Sequence, residues 1–158
     1  MMNFTESTFA TLAKSYGHEY SALTKTTGIP TGITSKEPIE NIKRVVQPTY
    51  LHHGYIYGKT FGISVFAIHL CPYELDNPSN KYGIDRYNEM KIILNDAIQL
   101  GSSEPILIGG DFNSHNQFDS DSYGPGFSYA NRDHRVTNAC KESGFFDAYP
   151  LLNNEFKG

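Results

Sequence analysis

Ile106, Leu107 and Ile108 run without a polar residue into Gly109, Gly110, Asp111, Phe112 and Asn113, and this stretch restricts the fold more than any other. An apolar run with no alternation predicts a strand covered on both faces, as in the middle of an α/β sheet. The two glycines let the backbone turn or let another group approach closely. Asp111 and Asn113 are two apart, so in an extended segment their side chains point the same way. A carboxylate and a carboxamide then leave the carboxyl end of a covered strand together, which is where open α/β sheets place ligands. The same residue types also suit an ordinary turn.

The rest of the chain supplies partners for such a strand. Residues 6–16 read as a helix with Phe9, Leu12 and Ala13 on its apolar stripe and Gly17 as its stop. Residues 18–25, 28–35 and 38–46 read as strands. Residues 51–59 and 62–70 form a hairpin turning at Thr60 and Phe61. In its second arm Ile63, Val65, Ala67 and His69 share one face, and Ser64, Phe66, Ile68 and Leu70 the other. Asp85 is placed to cap a helix ending at Gly101, with Met90, Ile93, Leu94 and Ala97 at helical spacing. Residues 114–131 read as a loop and residues 132–143 as a last helix. Strands followed by helix, strand and helix predict one layered α/β domain over residues 1–158.

Composition narrows the function classes. The net charge is −4, with 13 Lys and Arg against 17 Asp and Glu and no basic run, a poor footprint for long duplex nucleic acid. No apolar window is long enough to span a bilayer. Cys71 and Cys140 make neither a metal-ligand spacing nor a disulfide framework.

Residues 106–114 resemble the Gly-Asp-Phe-Asn motif of the endonuclease/exonuclease/phosphatase superfamily, whose members are DNase I-like. Further resemblance lies in Phe66-Ala67-Ile68-His69-Leu70-Cys71-Pro72, similar to the family's strand ending in His-Leu-x-Pro. Residues 12–20, 32–39, 86–97 and 141–148 are also similar to family elements, less specifically. The resemblance implies a DNase I-like α/β sandwich and a Mg²⁺-dependent phosphoesterase, with Mn²⁺ as the other fitting ion. It assigns catalytic roles to His69, Asp111 and Asn113, a metal contact to Asp111, and a weaker phosphate contact to His53. The implied partner is a phosphate ester. Rival readings are a non-catalytic α/β binding module and a sequence-tolerant endonuclease, the latter disfavoured by the acidic balance.

Two family elements have no match. The strand ending in Gln-Glu would fall before Met1, and the closing strand with its Asp-His pair would fall after Gly158, so the first strands and the last strand are expected to be missing from an incomplete sandwich. Glu6 is a poor substitute for the missing glutamate and reads as a helix-start acid. Asp133 and His134 imitate the missing pair but precede the late helix, and read as surface. Asp119, Asp121 and Tyr123 do not complete a calcium loop, and His115 reads as a loop histidine.

Overall fold

The computed structural model describes residues 4–46, 50–73, 78, 80, 83–101, 103–114 and 134–153. His115, the acidic residues at 119 and 121, and Asp133 lie outside them. The chain begins with α1 (Glu6–Ser15), continues through β1 (Tyr20–Leu23), β2 (Gly32–Ser35), β3 (Glu40–Val45), β4 (Tyr55–Thr60) and β5 (Ile63–His69), and then forms α2 (Arg86–Gly101) and β6 (Ile106–Asp111). Helices α3 (Arg135–Glu142) and α4 (Ala148–Asn153) follow.

β1 and β2 form an antiparallel pair, while β3, β4, β5 and β6 make a second sheet in that order. Its first two pairings are antiparallel. β5 and β6 run parallel, as expected of strands joined by a helical crossover. The predicted alternation of β5 holds and sets up the layers. Phe66 and Ile68 enter a core with Met90, Ile93, Leu94 and Ala97 of α2 and Val136 and Ala139 of α3. Val65 and Ala67 face the other way, against Ala22, Ile33 and Ile56 between the two sheets. Removing an aromatic ring such as Phe66 from water contributes roughly 1.5–3 kcal/mol, and Phe66 has no exposed surface. Tyr55 is buried in the same core, but its hydroxyl donates to the Asp96 carboxylate, so no polar group is stranded there.

Several sequence expectations shift by a residue or more. The β4–β5 hairpin turns at Phe61 and Gly62 rather than at Thr60 and Phe61, because Thr60 pairs with Ile63. Both turn residues have positive φ, 53° and 69°, as a two-residue turn of this hand requires. Leu12 is exposed, and the inner face of α1 is carried by Ala13, with Phe9 lying over Gly32. Gly101 closes α2 inside the helix. Its small size matters because a Cβ there would come within 2.6 Å of the Ile106 side chain.

The main correction concerns β6. It pairs with β5 alone among the described residues. Its Leu107 is 53% exposed. Ile106 and Ile108 pack on the α2 side, whereas Leu107 and Gly109 line a groove on the opposite face. An unbroken apolar run shows that a strand is apolar on both faces, not that both faces are covered.

Candidate active site

The carboxyl ends of β5 and β6 meet beside the start of β4, and three short-range devices fix them there. The parallel register puts His69 opposite Asp111. The Leu70 N–H then donates to the Asp111 carbonyl at 2.9 Å, extending the pairing one step. Gly110 allows the strands to come this close: its φ is 137°, and a Cβ there would lie 2.0 Å from the Ile68 carbonyl oxygen.

Asp111 and Asn113 are brought together, though not by strand alternation. β6 ends at Asp111, and Asn113 sits in the left-handed region with φ 47°, a conformation Asn tolerates better than most residues. Its backbone N–H donates to Asp111 Oδ1 at 2.9 Å. Its side-chain Nδ2 donates to the Leu70 carbonyl at 2.8 Å, leaving a second amide hydrogen. With Oδ1 so engaged, Asp111 turns Oδ2 toward His69 Nε2, 3.7 Å away. That gap is too long for a direct hydrogen bond and suits a bridging water or ligand oxygen.

His69 is held from behind. The His53 ring stacks on it with centroids 4.0 Å apart, and His52 meets His53 edge-on at 4.2 Å. His52 Nδ1 and His53 Nε2 are 2.8 Å apart, so one donates to the other. Gly54, with φ 81° and a virtual Cβ 2.4 Å from the Val45 carbonyl oxygen, folds this corner tightly against β3. His53, to which the resemblance gives a phosphate contact, is largely buried, with its ring stacked on that of His69.

The three imidazoles resist protonation. Burial pushes His53 down to about 3, helped by the neighbouring His69, His52 and Lys25 charges and opposed by Asp111. Burial also lowers His52, with His69 and Lys25 adding to it. For His69 burial lowers the pKa, Asp111 opposes it, and Lys25 lowers it further. His69 is therefore harder to protonate than a free imidazole, with burial as the main cause.

A stability prediction follows from His53. In the unfolded chain this ring takes up a proton near pH 6.5, while in the fold it refuses one until about pH 3. Between those values the unfolded state binds the extra proton, so stability is full above pH 6.5 and falls as the pH drops toward 3. The expected slope from this group is about 1.4 kcal/mol per pH unit, or about 2 kcal/mol between pH 6.5 and 5. Urea unfolding at stepped pH measures it, and His53→Gln should flatten much of the slope. An unchanged slope in that variant would remove His53 as its source.

The site opens into a groove of about 450 Å³ between β2 and the β5–β6 pair, with His69 and Asp111 at one end and Thr31, Ala67 and Leu107 along its walls. Glu6 stays in the first turn of α1 and accepts from Arg44 at 3.3 Å. Both cysteines are free. No group of three His, Cys, Asp or Glu side chains among the described residues could hold a metal ion. No helix among them is long and apolar enough to cross a membrane.

Sequence reasoning missed Glu89 and Lys25, which bear on the site through hydrogen bonds and charge. Glu89 is 1% exposed. Its Oε1 accepts from the His52 N–H and its Oε2 from the Cys71 N–H, each at 2.5 Å. Burial raises its pKa against those two bonds, and Asp85 raises it further. A signal was available, since Glu89 precedes Met90 and lies four residues before Ile93, on the apolar face of α2. Lys25 offers no comparable signal, because a lysine after a short strand usually points to water.

This pairing of a two-stranded and a mixed sheet with helices is an incomplete α/β sandwich of the DNase I-like fold. Among solved structures, the chain is similar to the 3′-5′ exonuclease NExo of Neisseria meningitidis, with TM-score 0.69 and 17% identity over 97% of this chain and 62% of that one. It is likewise similar to a variant of the Neisseria 3′ phosphatase NExo bound to a product DNA hairpin, with TM-score 0.68 and 16% identity over the same shares. The chain thus spans about three-fifths of the length of these neighbours, and at such identity the likeness is one of fold. No protein-family model matches the chain, and no curated protein matches it.

Proposed function

We propose that the chain carries part of the site of a phosphoesterase of the nuclease kind, acting on a phosphate ester at or near the 3′ end of a nucleic acid. The observation that carries this reading is the His69–Asp111 pair, in parallel register and 3.7 Å apart at the end of an open groove. Asp111 Oδ2 orients or deprotonates the attacking water. The second amide hydrogen of Asn113 and an N–H of His69 donate to phosphoryl oxygens, where charge builds in the transition state. His53 serves binding by holding the His69 ring.

Mg²⁺ is the proposed cation, with Mn²⁺ as its substitute, held through Asp111. The described residues fit such an ion only in part. Asp111 supplies an exposed carboxylate, but Glu89 is committed to two N–H groups. The chemistry assigned to Asp111, Asn113 and His69 needs only their own groups. The nucleic-acid substrate is suggested by the DNA hairpin in one neighbour. A chain of net charge −4 suits a strand end better than a long duplex.

The test is to incubate the chain with a 3′-phosphorylated oligonucleotide and Mg²⁺, following phosphate or nucleotide release and the His69 ring resonances. Release together with a His69 shift is expected. A shift without release would favour a non-catalytic binding module, and neither would sink the proposal.

A further inference from the structure

We propose that Glu89 is a positioning residue for Asn113, acting through the peptide bond between Leu70 and Cys71. One peptide unit is gripped at both ends. Its N–H, from Cys71, donates to Glu89 Oε2 at 2.5 Å, and its carbonyl, from Leu70, accepts from Asn113 Nδ2 at 2.8 Å. A carboxylate on the N–H side of a peptide polarises it and makes its oxygen a stronger acceptor, because hydrogen bonds in a chain reinforce one another at low dielectric. Glu89 is almost wholly buried, so its field is little screened. The Asn113 side chain is thereby turned to a fixed angle beside Asp111 without touching Glu89.

The other carboxylate oxygen accepts the His52 N–H, fixing the corner whose next residue stacks on His69. One buried acid on α2 therefore ties the His52–His53 corner to the end of β5. Packing alone does not call for an acid here, since the neighbouring inward positions of α2 are Met90 and Ile93. A buried carboxylate is costly to place in a core, and here both of its oxygens accept backbone N–H groups of the segments that carry the site.

The role given to Asn113 rests on the phosphoesterase reading, whereas the gripped peptide does not. Glu89→Gln preserves shape but sets a side-chain NH₂ against one of the two backbone N–H donors. In the folded variant, hydrogen exchange at the Cys71 or His52 amide should speed up about tenfold or more, the scale of a hydrogen bond to a charged group. The Asn113 side-chain amide resonances should move, and turnover should fall in kcat with KM little changed. Should Glu89→Gln fail to fold, Asn113→Ala reads the same link from its other end, speeding exchange at Cys71 while leaving Tyr57 in β4 unchanged. A lower melting temperature with unmoved Asn113 resonances in Glu89→Gln, or unchanged Cys71 exchange in Asn113→Ala, overturns the proposal. Absent turnover in the parent chain counts against the phosphoesterase reading alone, because the amide measurements still decide the link.

Discussion

Asp111→Asn is expected to lower phosphoester turnover at least ~100-fold, the scale of a lost general acid or base, while leaving the fold close to its parent stability. The two oxygens of this carboxylate have separate duties. Oδ1 accepts the Asn113 N–H, and the amide oxygen of an asparagine can do the same. Oδ2 faces His69 Nε2 across 3.7 Å and is the atom that loses its charge and basicity. Because the Asp111 side chain is 60% exposed, burial contributes little to its cost of replacement. The expected pattern is a collapse of kcat with a melting temperature within a few degrees of the parent. Retained turnover would remove Asp111 from the chemistry, and a large loss of stability would show that its role is structural.

What the sequence reveals of this site follows the range of the forces involved. The apolar period of α2 and the alternation of β5 are local: Met90, Ile93 and Leu94 are buried as read, and Phe66 and Ile68 share a face as read, which the structure shows to be the buried one. His69, Asp111 and Asn113 are also brought together as read, although the reason given for the last pair was wrong. Strand alternation was to align Asp111 with Asn113; instead the strand stops and a left-handed Asn113 folds its N–H back onto the carboxylate. The hairpin that makes β4 and β5 neighbours is legible in the sequence, but the contact of the His53 ring with His69 at its open end is not. The same is true of Glu89, whose partners lie 37 and 18 residues away. Coverage of β6 was misjudged because residue type reports the preference of a strand face and says nothing of what lies against it.

Gly110→Ala is expected to destabilise the protein by about 3 kcal/mol or more, from backbone strain of about 1–3 kcal/mol at positive φ and overpacking of about 1–3 kcal/mol. The added methyl would lie 2.0 Å from the Ile68 carbonyl oxygen and 3.0 Å from that residue's carbonyl carbon and nitrogen. All three are main-chain atoms of a paired strand, so no side chain can swing aside, and β5 and β6 must part at the end that carries the site. Gly109→Ala is the matched control. Nothing lies within 4 Å of a Cβ at Gly109, and no positive φ opposes it, so its cost should stay below about 1 kcal/mol. At this chain length 1 kcal/mol moves the melting temperature by roughly 2–4 °C, which separates the two variants by several degrees. The Gly110 variant should also lose turnover beyond its unfolded fraction, because the His69–Asp111 register is set by the same contact. Equal losses in the two alanine variants would mean that close approach at Gly110 does not hold the parallel pair together, and the geometry assigned to the site would lose its foundation.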